Sequence, residues 1–170
     1  HCNGWGHAWM LALVAGTIIC TKKISAKLIF DAIADMGVTH FGGAPIILGL
    51  LINASLDDRR DFKQTVQVMT AGAPPPPAVL EKTEQLGMTV TQVYGLTETF
   101  GHIMLCDWNN AWDSLDFEEK AKIKARQGVQ FTHTQEVDVL DLKSFEPVIR
   151  DGYAQGEIVV KSNTIMKGYH

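Results

Sequence analysis

The sequence predicts an α/β protein: a parallel sheet flanked by helices, followed by a small antiparallel β portion. Three observations predict it. Between residues 38 and 93, short β-branched runs alternate with helical-period segments through short connections, the pattern of parallel strands joined by crossover helices. From Gln135 onward the runs are short and alternating, with turn residues between them. The chain has 170 residues, 46% of them apolar, enough to close a core without disulfide or metal staples.

A Gly- and aromatic-rich loop opens the chain, followed by a buried helix from about Ala8 to Ala15 and a short strand, Thr17 to Thr21. Ser25 then caps a helix through Met36, with Ile29, Ile33 and Met36 at i, i+4, i+7, Lys27 pairing with Asp31 on the wet face, and Gly37 closing it. Val38 to Phe41 reads as a strand, Gly42-Gly43-Ala44-Pro45 as a turn and Ile46 to Asn53 as a helix, with a charged linker at Asp57 to Lys63. Val66 to Thr70 is strand-like and runs into Ala71-Gly72-Ala73 and four prolines. A helix from about Ala78 to Leu86 follows, since proline suits a first turn. Gly87 closes that helix and Thr89 to Val93 forms the next strand. Asp116 with Glu119 is a capping-box start for a helix through Ala125. The last strands are Glu136 to Leu142 and Gly156 to Lys161, separated by turns at Glu146-Pro147 and Asp151-Gly152. The chain thus divides into residues 1–105, the α/β part, and 106–170, a helix with short strands, the boundary falling between Gly101 and Gly128.

Fifteen Lys and Arg against nineteen Asp and Glu give a net charge of −4, which argues against a nucleic-acid partner or a polybasic membrane surface. Cys2, Cys20 and Cys106 are too widely spaced for a zinc site or disulfide framework and read as reduced, mostly buried thiols of a cytoplasmic protein. The longest apolar run, Ala8 to Cys20, is shorter than the roughly 20 residues of a membrane span and has no cationic flank of a signal peptide. The chain opens on His1 in what reads as the middle of a domain, so it is expected to be a piece of a longer protein.

Two loops at the carboxyl ends of the predicted parallel strands can carry chemistry: Thr70 to Pro77 and Gln92 to Gly101. Ligands of open α/β sheets bind at that edge, so the loops are placed to share one crevice. Gly72 and Gly95 let backbone approach a ligand. Tyr94 offers a flat face to an aromatic base, Thr97 a hydroxyl to a phosphate oxygen, and Glu98 a hard oxygen to Mg²⁺. By themselves these residues fit structural turns and a solvated surface carboxylate more readily than a ligand site.

Tyr94-Gly95-Leu96-Thr97-Glu98 resembles the signature of the adenylate-forming superfamily, which includes acyl-CoA synthetases, luciferases and peptide-synthetase adenylation domains. Three more segments agree in order. TAGAPPPP, with Gly72 lying 22 residues before Tyr94, resembles the family's adenine-contacting turn. HCNGWG at His1 to Gly6 is similar to the segment that gates the acyl pocket, and GEIVVKSNTIMKGYH, from Gly156, to the family's GE–GY strand pair. Within the superfamily the chain is most similar to acyl-CoA synthetases, particularly short- or medium-chain and methylthiopropionate-type ligases.

The resemblance implies an AMP-forming ligase that uses ATP, Mg²⁺ and CoA to activate a small carboxylic acid. It implies that Thr97 holds phosphates, Glu98 holds Mg²⁺ and Tyr94 stacks on adenine, with Gly72, Ala73 and Pro74 on its other side. Gly95 and Leu96 would form the floor beside the α-phosphate, and His1, Trp5 and Gln92 would line the acyl pocket. The family's phosphate loop, ribose-binding Asp and adenylation Lys have no counterpart in these residues. The 170-residue piece is therefore expected to be inactive alone and, with truncated sheet edges, prone to self-association. Ser162-Asn163 stand where the family commonly has a Gly. A non-catalytic nucleotide- or partner-binding unit is the alternative. Arg126-Gln127-Gly128 reads as an exposed helix end or as a bridge toward a nucleotide-binding part, and His7, His40, His102 and His133 receive no role.

Overall fold

The computed structural model describes residues 2–170, with side chains from residue 6 onward. It contains a five-stranded sheet and a two-stranded sheet. In the first, β1 (His40–Gly43), β2 (Val66–Thr70) and β3 (Met88–Leu96) are parallel neighbours. The antiparallel strands β4 (Gly101–Leu105) and β5 (Val129–Gln130) follow on the far side of β3. The second sheet pairs β6 (Thr134–Leu140) with β7 (Glu157–Ser162).

The helices are α1 (Cys2–Leu13), α2 (Ala26–Met36), α3 (Pro45–Ile52), α4 (Pro77–Gln85) and α5 (Phe117–Lys124). Their ends follow local chemistry. The Ser25 hydroxyl accepts the Leu28 N–H at 3.2 Å and Gly37 leaves α2 in the left-handed region at φ 68°. Pro45 and Pro77 open α3 and α4, where a missing N–H costs nothing. Asp116 and Glu119 form the predicted capping box of α5. Arg59 donates to the carbonyls of Ile52 and Ala54 at the end of α3, while Arg60 spans Asp31 and Asp35 of α2, so the charged segment after α3 is anchored at both sides.

The core lies between α2, α3 and α4 and one face of the parallel strands. Phe30, Ile33, Leu48, Leu51, Val66, Val68, Leu80, Met88 and Val90 are buried there. α1 lies on the other face: a Cβ built on Gly43 would meet Ile47 of α3 at 3.1 Å, whereas one on its neighbour Gly42 would meet the His7 ring of α1 at 2.8 Å. α5 packs against α4 and β3, and Ile103 of β4, fully buried, joins the two sheets. Its carbonyl accepts both the Phe131 N–H at 2.7 Å and the Thr134 hydroxyl at 3.0 Å.

Several expectations change. Helix α1 begins at Cys2 and not at Ala8, so the predicted opening loop is largely helical. Thr17 to Thr21 forms no strand, because a strand needs a neighbour for its N–H and C=O groups and no described edge offers one; Ile18 and Ile19 are exposed. The buried stripe of α2 is Ala26, Phe30 and Ile33; Met36 is 66% exposed. Gly42 and Gly43 belong to β1 and not to a turn, and β4 and β5 were not foreseen. Cys20 is exposed and Cys106 half-buried, so burial does not account for both described thiols. Truncating the most enclosed aromatic tests the core: Phe30→Ala should cost about 3–5 kcal/mol in chemical unfolding, and a change under 1 kcal/mol would contradict this packing.

Candidate active site

Thr70, the last residue of β2, is in register with Gln92 of β3. Beyond that point β3 continues without β2 for Val93 to Leu96, about 13 Å of extended chain, paired only with β4. It runs on past the end of β2, where the chain turns through Gly72, Ala73 and Pro74. The two segments singled out in the sequence therefore leave the sheet at the same edge. Gly72 sits at φ 94°, a conformation suited to glycine, and Gly72, Ala73 and Pro74 are exposed, while Pro75 is buried against the fold.

The second segment is not the free loop expected. Tyr94, Gly95 and Leu96 are strand residues paired with β4, and only Thr97–Thr99 turns, as a single 3₁₀ turn. The reason is Gly95. A Cβ there would lie 2.0 Å from the carbonyl oxygen of Gly101, so the backbones approach as closely as glycine alone permits. Thr99, 3% exposed, closes the turn: its hydroxyl accepts the Leu96 N–H at 2.9 Å and lies 2.7 Å from the Gly101 carbonyl oxygen. Phe100 completes the reversal in the left-handed region at φ 57°. Tyr94 and Gly95 are half-buried, and Leu96 and Thr97 are exposed on the rim.

Glu98 is half-buried and doubly held. Its backbone carbonyl accepts the Met166 N–H at 2.8 Å and its Oε1 accepts the Tyr169 phenol at 2.6 Å. The Tyr169 hydrogen bond, followed by its own backbone N–H, holds the carboxyl below the usual carboxylate range, and the same contact raises the phenol. Beneath the edge, the buried Thr70 Oγ1 and Gln92 Oε1 have no hydrogen-bond partner. The Gln92 Nε2 donates to Gln127 Oε1 at 3.3 Å, so Gln127 is half-buried and turned inward. Each buried orphan costs about 1–3 kcal/mol. His1, and the side chain of Trp5, lie outside the described residues. The cavity of about 460 Å³ lined by Thr65, Met88, Cys106, Trp108 and Lys124 flanks the opposite end of β3 and includes none of the predicted residues.

Thr99 escaped sequence reasoning, as did the contact of Tyr169 with Glu98; of the 126–128 segment, Gln127 is not the exposed helix end expected but turns in to Gln92. Thr99 had a signal, a hydroxyl three residues after Leu96; Tyr169 is 71 positions from Glu98 and had none. The histidines also gather. His102 stands opposite Gly95 and edge-on to Phe131 at 4.6 Å, with His133 6.5 Å away. Burial first, then His133 and His7, push the His102 imidazole below its usual range. No group of three or more potential metal ligands occurs among the described residues.

The family model described as AMP-binding enzyme matches residues 1–170. The chain belongs to this AMP-binding family. It is 46% identical over 170 residues to a peroxisomal acetate/butyrate–CoA ligase of Arabidopsis thaliana and 46% identical over 169 residues to a 2-methylpropanoate–CoA ligase of Humulus lupulus. In each case 99% of the chain matches 30% of the relative, so the chain spans about a third of the length of these AMP-binding enzymes. Among solved structures, the N-terminal domain of FACL13 from Mycobacterium tuberculosis superposes with a TM-score of 0.78 at 23% identity, covering 99% of this chain and 40% of that one. The O-succinylbenzoate coenzyme A synthetase of Bacillus subtilis, in complex with ATP and magnesium ion, does so at 0.73 and 21%, covering 99% and 32%. These likenesses establish the fold. No described helix is long and apolar enough to cross a membrane.

Two measurements check this geometry. Gly95→Ala should lower stability by about 2–3 kcal/mol in urea unfolding, and an unchanged midpoint would show that the turn is looser than described. His102, with its pKa depressed in the folded state, binds protons more readily when unfolded, so its contribution is present above the ordinary imidazole range and is lost as pH falls through its lowered folded pKa. The melting temperature should fall between pH 7 and pH 5, and His102→Phe should flatten that slope; an equal slope in both proteins would contradict it.

Proposed function

We propose that this chain is the central part of the large domain of an AMP-forming acid–thiol ligase that activates a small carboxylic acid and passes it to CoA. The observation that carries the reading is the parallel register Thr70–Gln92, from which the 72–74 turn and the 94–98 segment leave the same sheet edge. In the first step a carboxylate oxygen attacks the α-phosphorus of ATP and the bond to pyrophosphate breaks, giving acyl-AMP. In the second the CoA sulfur attacks the acyl carbon, AMP departs and the thiol proton is released.

Both partners of the first step are anions, so the residues must align them and offset charge. Tyr94 would stack on the base against Gly72, Ala73 and Pro74, and Gly95 and Leu96 would pass beside the α-phosphate. Thr97, exposed on the rim, would donate to a phosphate oxygen. Its hard-oxygen neighbour Glu98, whose carboxyl the Tyr169 hydrogen bond holds below the usual carboxylate range, fits Mg²⁺, which when bound offsets phosphate charge. The unfilled hydrogen-bonding capacity of Thr70 and Gln92 fits polar ligand atoms at this edge. We place His1, Trp5 and Gln92 on the acyl side. The named reactions of the relatives, with acetate, butyrate and 2-methylpropanoate, support a short acid as substrate.

The test is pyrophosphate release by the full-length protein that contains these residues. Release should require a short-chain acid together with ATP and Mg²⁺, yield AMP and the acyl-CoA, and drop at least 100-fold in Glu98→Gln. The 170-residue chain alone should release none. Nucleotide binding without carboxylate-dependent release by the full-length protein would support the non-catalytic alternative instead.

A further inference from the structure

The segment after β7 does more than end the second sheet. From Ser162, whose hydroxyl donates to the His133 carbonyl at 3.1 Å, the chain crosses to the 3₁₀ turn after β3 and touches it twice, through the Met166 N–H and the Tyr169 phenol. Both contacts fall on Glu98. The Met166 bond fixes the backbone of that residue, and the phenol, 2.6 Å from Oε1, fixes its side chain with a charge-assisted O–H···O⁻ bond. Tyr169 is 82% exposed, so its ring adds little to any core. Its hydroxyl is the part that is engaged.

We propose that Tyr169 is a positioning residue for the metal-side carboxylate: by donating to Glu98 Oε1 it sets the orientation in which Glu98 meets a divalent cation. A carboxylate has about four acceptor sites, so one phenol donor leaves room for a metal. Outer partners of this kind select one rotamer before the metal arrives and thereby raise affinity. The contact also brings the end of the two-stranded sheet to the site, since the segment that leaves β7 delivers the phenol. This rests on reading Glu98 as the magnesium-side residue.

The experiment is calorimetric titration of Mg²⁺ into the full-length protein saturated with α,β-methylene-ATP. Glu98→Gln, Tyr169→Phe and the unaltered protein are compared, and binding of the analogue without metal is measured alongside. Tyr169→Phe removes one oxygen at an exposed position and keeps the ring. It should weaken Mg²⁺ binding about tenfold while leaving metal-free nucleotide affinity unchanged. If Glu98→Gln weakens Mg²⁺ binding but Tyr169→Phe binds it equally well or more tightly, the positioning role is overturned and the reading of Glu98 stands. If Glu98→Gln leaves Mg²⁺ affinity unchanged, that reading falls and the role of Tyr169 with it.

Discussion

The close approach of Gly95 to the Gly101 backbone governs the whole site. Because nothing larger than hydrogen fits between them, β3 can double back into β4 within one 3₁₀ turn, and Thr97 and Glu98 are carried on that turn. A wider reversal would move both side chains away from the end of β2. The buried Thr99 hydroxyl ties the turn together through hydrogen bonds, and Phe100 carries the backbone strain of a left-handed non-glycine residue. Parallel pairing of β2 with β3 then does the rest, since strands running in the same direction place their following segments at a common edge.

Stability and hydrogen-bonding capacity are traded at that edge. Helices α2, α3 and α4 bury a continuous apolar layer beneath the sheet, and the layer ends where Thr70 and Gln92 replace Val68 and Val90 on the same face of the two strands. Two apolar residues there would pack without orphaned polar atoms. Polar ones, incompletely satisfied, lower stability and leave unfilled hydrogen-bonding capacity at the strand ends. Gln127 takes up part of it from the α5–β5 connection, which ties the region after β4 to the strand ends. The second sheet is joined to the same place through Ile103 and through the segment that reaches Glu98. The site is thus assembled from elements far apart along the chain.

What the sequence revealed depended on range. Ser25, Gly37, Pro45, Pro77 and the Asp116–Glu119 pair act within a few residues, and the helix ends they mark are found within about two positions. The strand–helix alternation likewise gave β2 its correct limits. Thr17 to Thr21 has strand-like residues but no described neighbour to pair with, which local pattern cannot disclose. Strand β4 was hidden for the opposite reason: Gly101 and His102 look like loop residues until Gly95 lets the hairpin close. The signature segment was legible as a string, yet its strand character was not, and the hold of Tyr169 on Glu98 depends on a contact across 71 positions.

In the proposed function, the turn after β2 and the segment ending β3 face one nucleotide. Photolabelling of the full-length protein with 8-azido-ATP, followed by peptide mapping, tests it most directly. ATP-protectable label is expected in both residues 70–77 and residues 92–98. Label confined to other peptides, or label at these two that excess ATP does not suppress, would contradict it.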